Sequence, residues 1–217
     1  ARGRVKKETV CFSPIKKNLM DLPTILSFTL FASVSAFTPG PNNIMLAASG
    51  ANFGFRSSLP HILGVSVGFI LLVIAAGFGL AGLFSTFPEL YDILKIVSFL
   101  FLVYLAWKIG SAGQTQNHSP SEPLRFWQAA IFQLVNPKGV SVIISSVTAY
   151  TSSATAVASE VFILFIVFSL VTVGSTCTWT LFGLMIKKIL NTRKRLRIFN
   201  ITMAGLLLAS LLPIITT

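Results

Sequence analysis

Long stretches of this chain carry no charge, and that limits what it can fold into more than any other feature. No Asp, Glu, Lys or Arg occurs from Ser57 to Pro88, from Gly139 to Ser159, from Val161 to Ile186, or from Ile198 to Thr217. A helix that crosses a bilayer needs about 20 mostly apolar residues, and several of these runs reach that length. Charged residues make up 11% of the chain against 53% hydrophobic, whereas an ordinary soluble domain carries about 25% charged. The sequence therefore predicts an all-α polytopic membrane protein.

Six hydrophobic segments are expected, at Leu22–Ala51, Leu59–Thr86, Leu90–Trp107, Phe126–Tyr150, Thr155–Met185 and Ile198–Ile215. Residues 1–19 read as a basic tail foreign to the rest of the chain, because Met20-Asp21-Leu22-Pro23 looks like a natural start with proline in the first helical turn. A secretory signal ending at Val34-Ser35-Ala36 is the competing reading. Asp21 and the unbroken apolar character beyond Ala36 speak against it. Residues 20–217 then form a single membrane domain. It comprises a repeat at 20–110, a polar linker at 111–124 and a second repeat at 125–217.

The net charge of +11 does not point to nucleic acid. Of the seventeen basic residues, six lie in the tail and six between Lys187 and Arg197, which is how membrane proteins carry charge beside their helices. Loops after the odd segments hold Arg56, Lys108, Arg125 and the basic cluster 187–197, while those after the even segments hold Lys95 alone. The positive-inside rule puts the loop at 187–197 in the cytoplasm. Cys11 and Cys177 make no disulfide framework. His61 reads as a satisfied interface histidine and His118 falls in the linker, so no metal set, cofactor or catalytic cluster is expected, and the chain does not read as an enzyme. A phosphate-binding G-x-x-x-x-G-K-[ST] element is also missing from the sequence.

Two apolar segments are interrupted. The first contains Pro39-Gly40-Pro41-Asn42-Asn43 and the fourth Asn136-Pro137-Lys138-Gly139. Proline removes a backbone donor and glycine favours no helix, while the asparagines can cap a helix that restarts. In lipid such breaks persist only where protein or a wet cavity satisfies the freed backbone groups. Pro41 and Pro137 stand 96 positions apart, near half the length of the membrane domain. Three segments per repeat give the halves opposite topology, so the expected architecture is two inverted three-helix repeats with broken first and fourth segments. Paired breaks of this kind mark the binding site of secondary transporters. The expected transport path is Pro39, Gly40, Pro41, Asn42, Asn43, Asn136, Pro137 and Lys138. A lone charge as deep as Lys138 costs about 3 kcal/mol on insertion scales, which predicts a cavity or a partner. A substrate carboxylate is favoured over carbonyls exposed by a break. Gly64 with Gly68, and Gly50 with Gly54, read as close-packing pairs that serve a compact bundle or a homo-oligomer.

Thr38-Pro39-Gly40-Pro41-Asn42-Asn43, Gly50…Gly54-Phe55-Arg56 and Gln133-Leu134-Val135-Asn136-Pro137-Lys138 resemble the paired signatures of the lysine-exporter (LysE/RhtB) superfamily. Pro41-Asn42-Asn43-Ile44, Trp107-Lys108-Ile109 and Phe126-Trp127 look most similar to its cysteine/O-acetylserine exporter branch. The resemblance implies amino-acid efflux across the bacterial inner membrane, with an amino-acid substrate, the lipid bilayer and a proton or ion counter-flux as partners. Members commonly carry an acidic residue after the first Pro-Gly-Pro. Asn42 here removes that candidate proton-coupling group. Export of a basic amino acid, homoserine or threonine is the alternative, with a passive channel or a non-transport membrane protein behind it.

Overall fold

The computed structural model describes residues 20–80, 86–111, 122–151 and 158–210. The 1–19 tail, most of the linker and the end of the expected sixth segment lie outside them. Among the described residues the α-helices are α1 Leu22–Phe37, α2 Pro41–Phe53, α3 Leu59–Ala75, α4 Pro88–Gly110, α5 Phe126–Val135, α6 Pro137–Tyr150, α7 Ala158–Lys187 and α8 Arg193–Ala209.

The sequence explains most of the helix starts. Asp21 caps α1, its Oδ1 accepting from the Thr24 amide at 3.2 Å. Prolines open α1, α2, α3, α4 and α6 in the first turn, where no intrahelical donor is needed. Thr192 caps α8 by accepting from the Arg195 amide. The cap shortens the expected loop at 187–197, because Arg193–Arg197 are already helical. The second segment is also less uniform than expected. After Ala75 it passes into a widened π turn at Ala76–Leu80, where Gly79 takes a φ of 103° that ends regular helix.

Among the described residues, three helical stretches are long and apolar enough to cross a membrane: Arg56–Ala75, Ile93–Gly110 and Ser159–Lys187. The bent pairs α1–α2 and α5–α6 qualify as two more if each is a single span. Their bends are 53° and 58°, so the two sequence interruptions produce nearly the same local geometry. The sixth expected segment is described only through α8.

Packing pairs α2 with α7, α3 with α5, and α4 with α8. Lipid tails are as apolar as leucine, so these contacts rest on close fit rather than on expulsion of water. Glycine provides the fit. A Cβ on Gly50 would collide with the Thr180 carbonyl, and one on Gly183 with the Ala47 carbonyl. Cβ atoms on Gly64 and Gly68 would collide with the carbonyls of Phe126 and Ala130. Gly64 and Gly68 therefore form the expected packing pair, within the bundle. Gly54 does not pair with Gly50. It ends α2 at a φ of 84°, and a Cβ there would meet nothing within 4 Å.

The glycine contacts gather the C-terminal ends of α2 and α7 and the N-terminal ends of α3 and α5 on one side of the breaks. Asn52 near the end of α2 pairs with Asn200 of α8 on the same side. The helix ends beside Arg56, Lys108, Arg125 and Lys187 thus share one end of the bundle, called here the basic end. At the other end Phe28 packs on Tyr150 and Phe168, with ring centroids 5.1 Å apart in both cases. A buried cluster lies on each side of the breaks. One contains Ile44, Val65, Leu105 and Phe132, the other Phe28, Leu72, Ile143 and Phe168.

Candidate functional site at the paired helix breaks

Each break frees carbonyls that lipid could not satisfy, and side chains from the same break and from the opposite half of the chain take them up. Asn43 Nδ2 donates to the carbonyls of Ala36 and Thr38 at 2.8 and 2.9 Å. Ser175 on α7 donates to Ala36 O at 2.7 Å. Lys138 Nζ, from the second break, donates to Thr38 O at 2.7 Å. The Val135 carbonyl at the end of α5 accepts from the Ser98 hydroxyl of α4.

Neither Asn42 nor Asn43 caps α2, contrary to expectation. Gly40 holds the N-cap position with no side-chain cap bond, which places the asparagines inside the first turn, where they cannot cap. Asn42 instead exchanges two hydrogen bonds with the buried Gln133 of α5, at 2.6 and 3.1 Å. Gly40 is extended, with φ −166°, so its use is not conformational. A Cβ there would come within 2.8 Å of Lys138 Cδ, and its absence lets the lysine lie across the break.

The breaks meet at a cavity with ≈550 Å³ of empty space, its open mouth included. Gly40, Pro41, Asn42, Asn43, Asn136 and Lys138 line it. Pro39 and Pro137 do not. Phe69, Phe168, Thr172, Ser175 and Thr176 complete most of the wall. α2 and α6 both start here without a side-chain cap, so two sets of first-turn amides and two positive dipole ends converge on one space. Lys138 adds a full charge with three donors, of which Thr38 takes one among the described residues. Asn136 is 3% exposed, and its Oδ1 is buried with no hydrogen-bond partner among the described residues. The lining of the cavity therefore includes donors, positive potential and an unused acceptor.

Sequence reasoning missed Gln133, Ser98 and the α7 hydroxyls. Gln133 carried a signal, as an uncharged amide inside an apolar run, whereas serines and threonines in helices are too common to stand out. His61 is a correction. It is 1% exposed, and neither ring nitrogen has a partner among the described residues, so it is not a satisfied interface histidine. Burial came from the glycine-tight contact of α3 with α5, which sequence does not display.

Comparison with known proteins gives the family. The family model described as "LysE type translocator" matches residues 33–211. The chain is 30% identical over 189 residues to a protein of Escherichia coli O139:H28 (strain E24377A / ETEC) named "Cysteine/O-acetylserine efflux protein", covering 86% of this chain and 95% of that one. Proteins of the same name from Escherichia coli strain K12 and Shigella sonnei strain Ss046 are each 30% identical over 188 residues, covering 85% of this chain and 94% of theirs. No solved structure matches. The family model covers most of the chain, and on that match the chain belongs to the LysE type translocators, a transporter family.

Proposed function

We propose that this protein exports amino acids or close derivatives, cysteine- or O-acetylserine-like or another neutral amino acid, across the bacterial inner membrane. The observation that carries this reading is the cavity where Lys138, two uncapped helix starts and the unpartnered Asn136 Oδ1 converge. A zwitterion fits that distribution. Its carboxylate goes to Lys138 and the first-turn amides of α2 and α6, and its ammonium to Asn136 Oδ1 and the hydroxyls of α7. The names of the relatives support a small, neutral substrate of this kind.

The mechanism we infer is secondary-active alternating access by two inverted repeats. The similar bends of 53° and 58° support equivalence of the two halves. The Asn42–Gln133 exchange and the glycine contacts close the bundle between this cavity and the basic end. Release of those contacts as the opposite end closes would move the site from one side to the other. The basic end is assigned to the cytoplasm on the distribution of Lys and Arg. Asn42 leaves the first break without a carboxylate, so coupling to a proton or ion would depend on another group.

Everted membrane vesicles loaded with this protein and given labelled cysteine or O-acetylserine under an imposed ion gradient test the reading. Gradient-dependent accumulation supports it. Equilibration that follows the concentration gradient alone would make the protein a channel, and no movement of these compounds or of any other amino acid would remove the export reading.

A further inference from the structure

We propose a second amino-acid site at the basic end, where substrate loads before it reaches the paired breaks; the proposal rests on the export reading above. A cavity of ≈440 Å³ lies there, and it shares no lining residue with the first. Its wall brings together Ser49 and Asn52 of α2, His61 of α3, Lys108 at the end of α4 and Glu122 ahead of α5. Apolar contacts come from Met45, Leu105 and their neighbours. Both charges of a zwitterion therefore find a counterpart in one cavity, the carboxylate at Lys108 and the ammonium at Glu122, whose Oε2 also pairs with Arg125 at 3.4 Å.

His61 is the second observation that points to a ligand. A neutral imidazole has one donor and one acceptor nitrogen, and here both are buried without a partner among the described residues. Leaving such a group unpaired is costly, and an occupant of this cavity would relieve that cost once the side chains that shield the ring nitrogens give way. Asn52 is held from behind by its exchange with Asn200, at 2.8 and 3.0 Å, and Ser49 by a 2.8 Å bond with Ser58. The polar wall is thus fixed by helices of both halves. The closed region between the cavities makes this a waypoint distinct from the central site.

The test measures uptake of labelled O-acetylserine into everted vesicles, with the basic end facing the added compound. Orientation is checked with a protease site after Lys188. Lys108→Met and His61→Leu should each raise the half-saturating concentration about tenfold, while the maximal rate stays within about twofold of wild type. Lys108→Arg should stay near wild type. A cavity that holds only water predicts unchanged half-saturation in both variants, and that result overturns this site alone. A purely structural Lys108 or His61 predicts a lower maximal rate and melting temperature at constant half-saturation, which also overturns it. Wild-type protein that moves neither these compounds nor any other amino acid overturns the export reading, and this site with it.

Discussion

Asn42 and Gln133 exchange both of the hydrogen bonds their amides can share, at 2.6 and 3.1 Å, across 91 positions of sequence. The pair ties the start of α2 to α5 at the floor of the central cavity, and Asn52 and Asn200 tie the other end of α2 to α8 in the same way. Removing one partner of a buried pair strands the other, at about 1–3 kcal/mol. Gln133→Leu or Asn42→Leu alone should therefore lower the melting temperature in detergent more than the two combined. Additive losses in that double-mutant cycle would show that the pair is not coupled.

Lys138 holds the Thr38 carbonyl and still faces the cavity. Replacing it with Met removes the charge, and efflux should fall at least about tenfold, on the scale of one charge-assisted hydrogen bond. Lys138→Arg should retain part of the activity. Normal export by a folded Lys138→Met protein would end the carboxylate role.

Asn136 separates function from stability. Its Oδ1 already lacks a partner among the described residues, so Asn136→Leu forfeits no hydrogen bond at that atom, and stability should hold within about 1 kcal/mol. Export should nonetheless drop severalfold if the atom accepts from the substrate ammonium. Thermal melting and efflux measured on the same preparation decide the point.

Glycines should divide by their surroundings. Gly183→Ala drives a methyl into the Ala47 backbone and should cost about 1–3 kcal/mol, the range for overpacking. Gly205 lies within α8 with open space at its Cβ position, so Gly205→Ala should be neutral or stabilising by up to about 1 kcal/mol. Equal melting temperatures for the two variants would contradict the packing described for α2 and α7.

The cap on α1 gives a pH dependence. Hydrogen bonds from the Thr24 side chain and amide hold the Asp21 carboxyl below its ordinary range. Its stabilisation is complete above the unfolded carboxyl value and is lost as pH falls through the lower folded value. Asp21→Asn keeps a capping side chain and should flatten this acid-side loss. Melting curves recorded across the carboxylate range check the difference.

Orientation is tested by a reporter fused after Lys188. The distribution of basic residues puts it in the cytoplasm. Surface labelling of that fusion in intact cells would reverse the assignment.

The charge-free runs, the two Pro/Gly interruptions and the placement of Lys and Arg by themselves determined a helical membrane chain with two broken segments. Composition, proline and glycine act within a few residues of where they stand, so insertion into lipid and the failure of a helix can be read locally. The paired motifs carried the family as well. What each polar side chain bonds was decided only by tertiary structure. Asn43 could have been a cap and is a bridge to the end of α1. Lys138 reaches a carbonyl of the other break, 100 positions away. His61 and Asn136 are left with unpartnered nitrogens or oxygen among the described residues. Such outcomes depend on which helices the glycines allow to touch, and that is a property of the packed bundle rather than of any one segment.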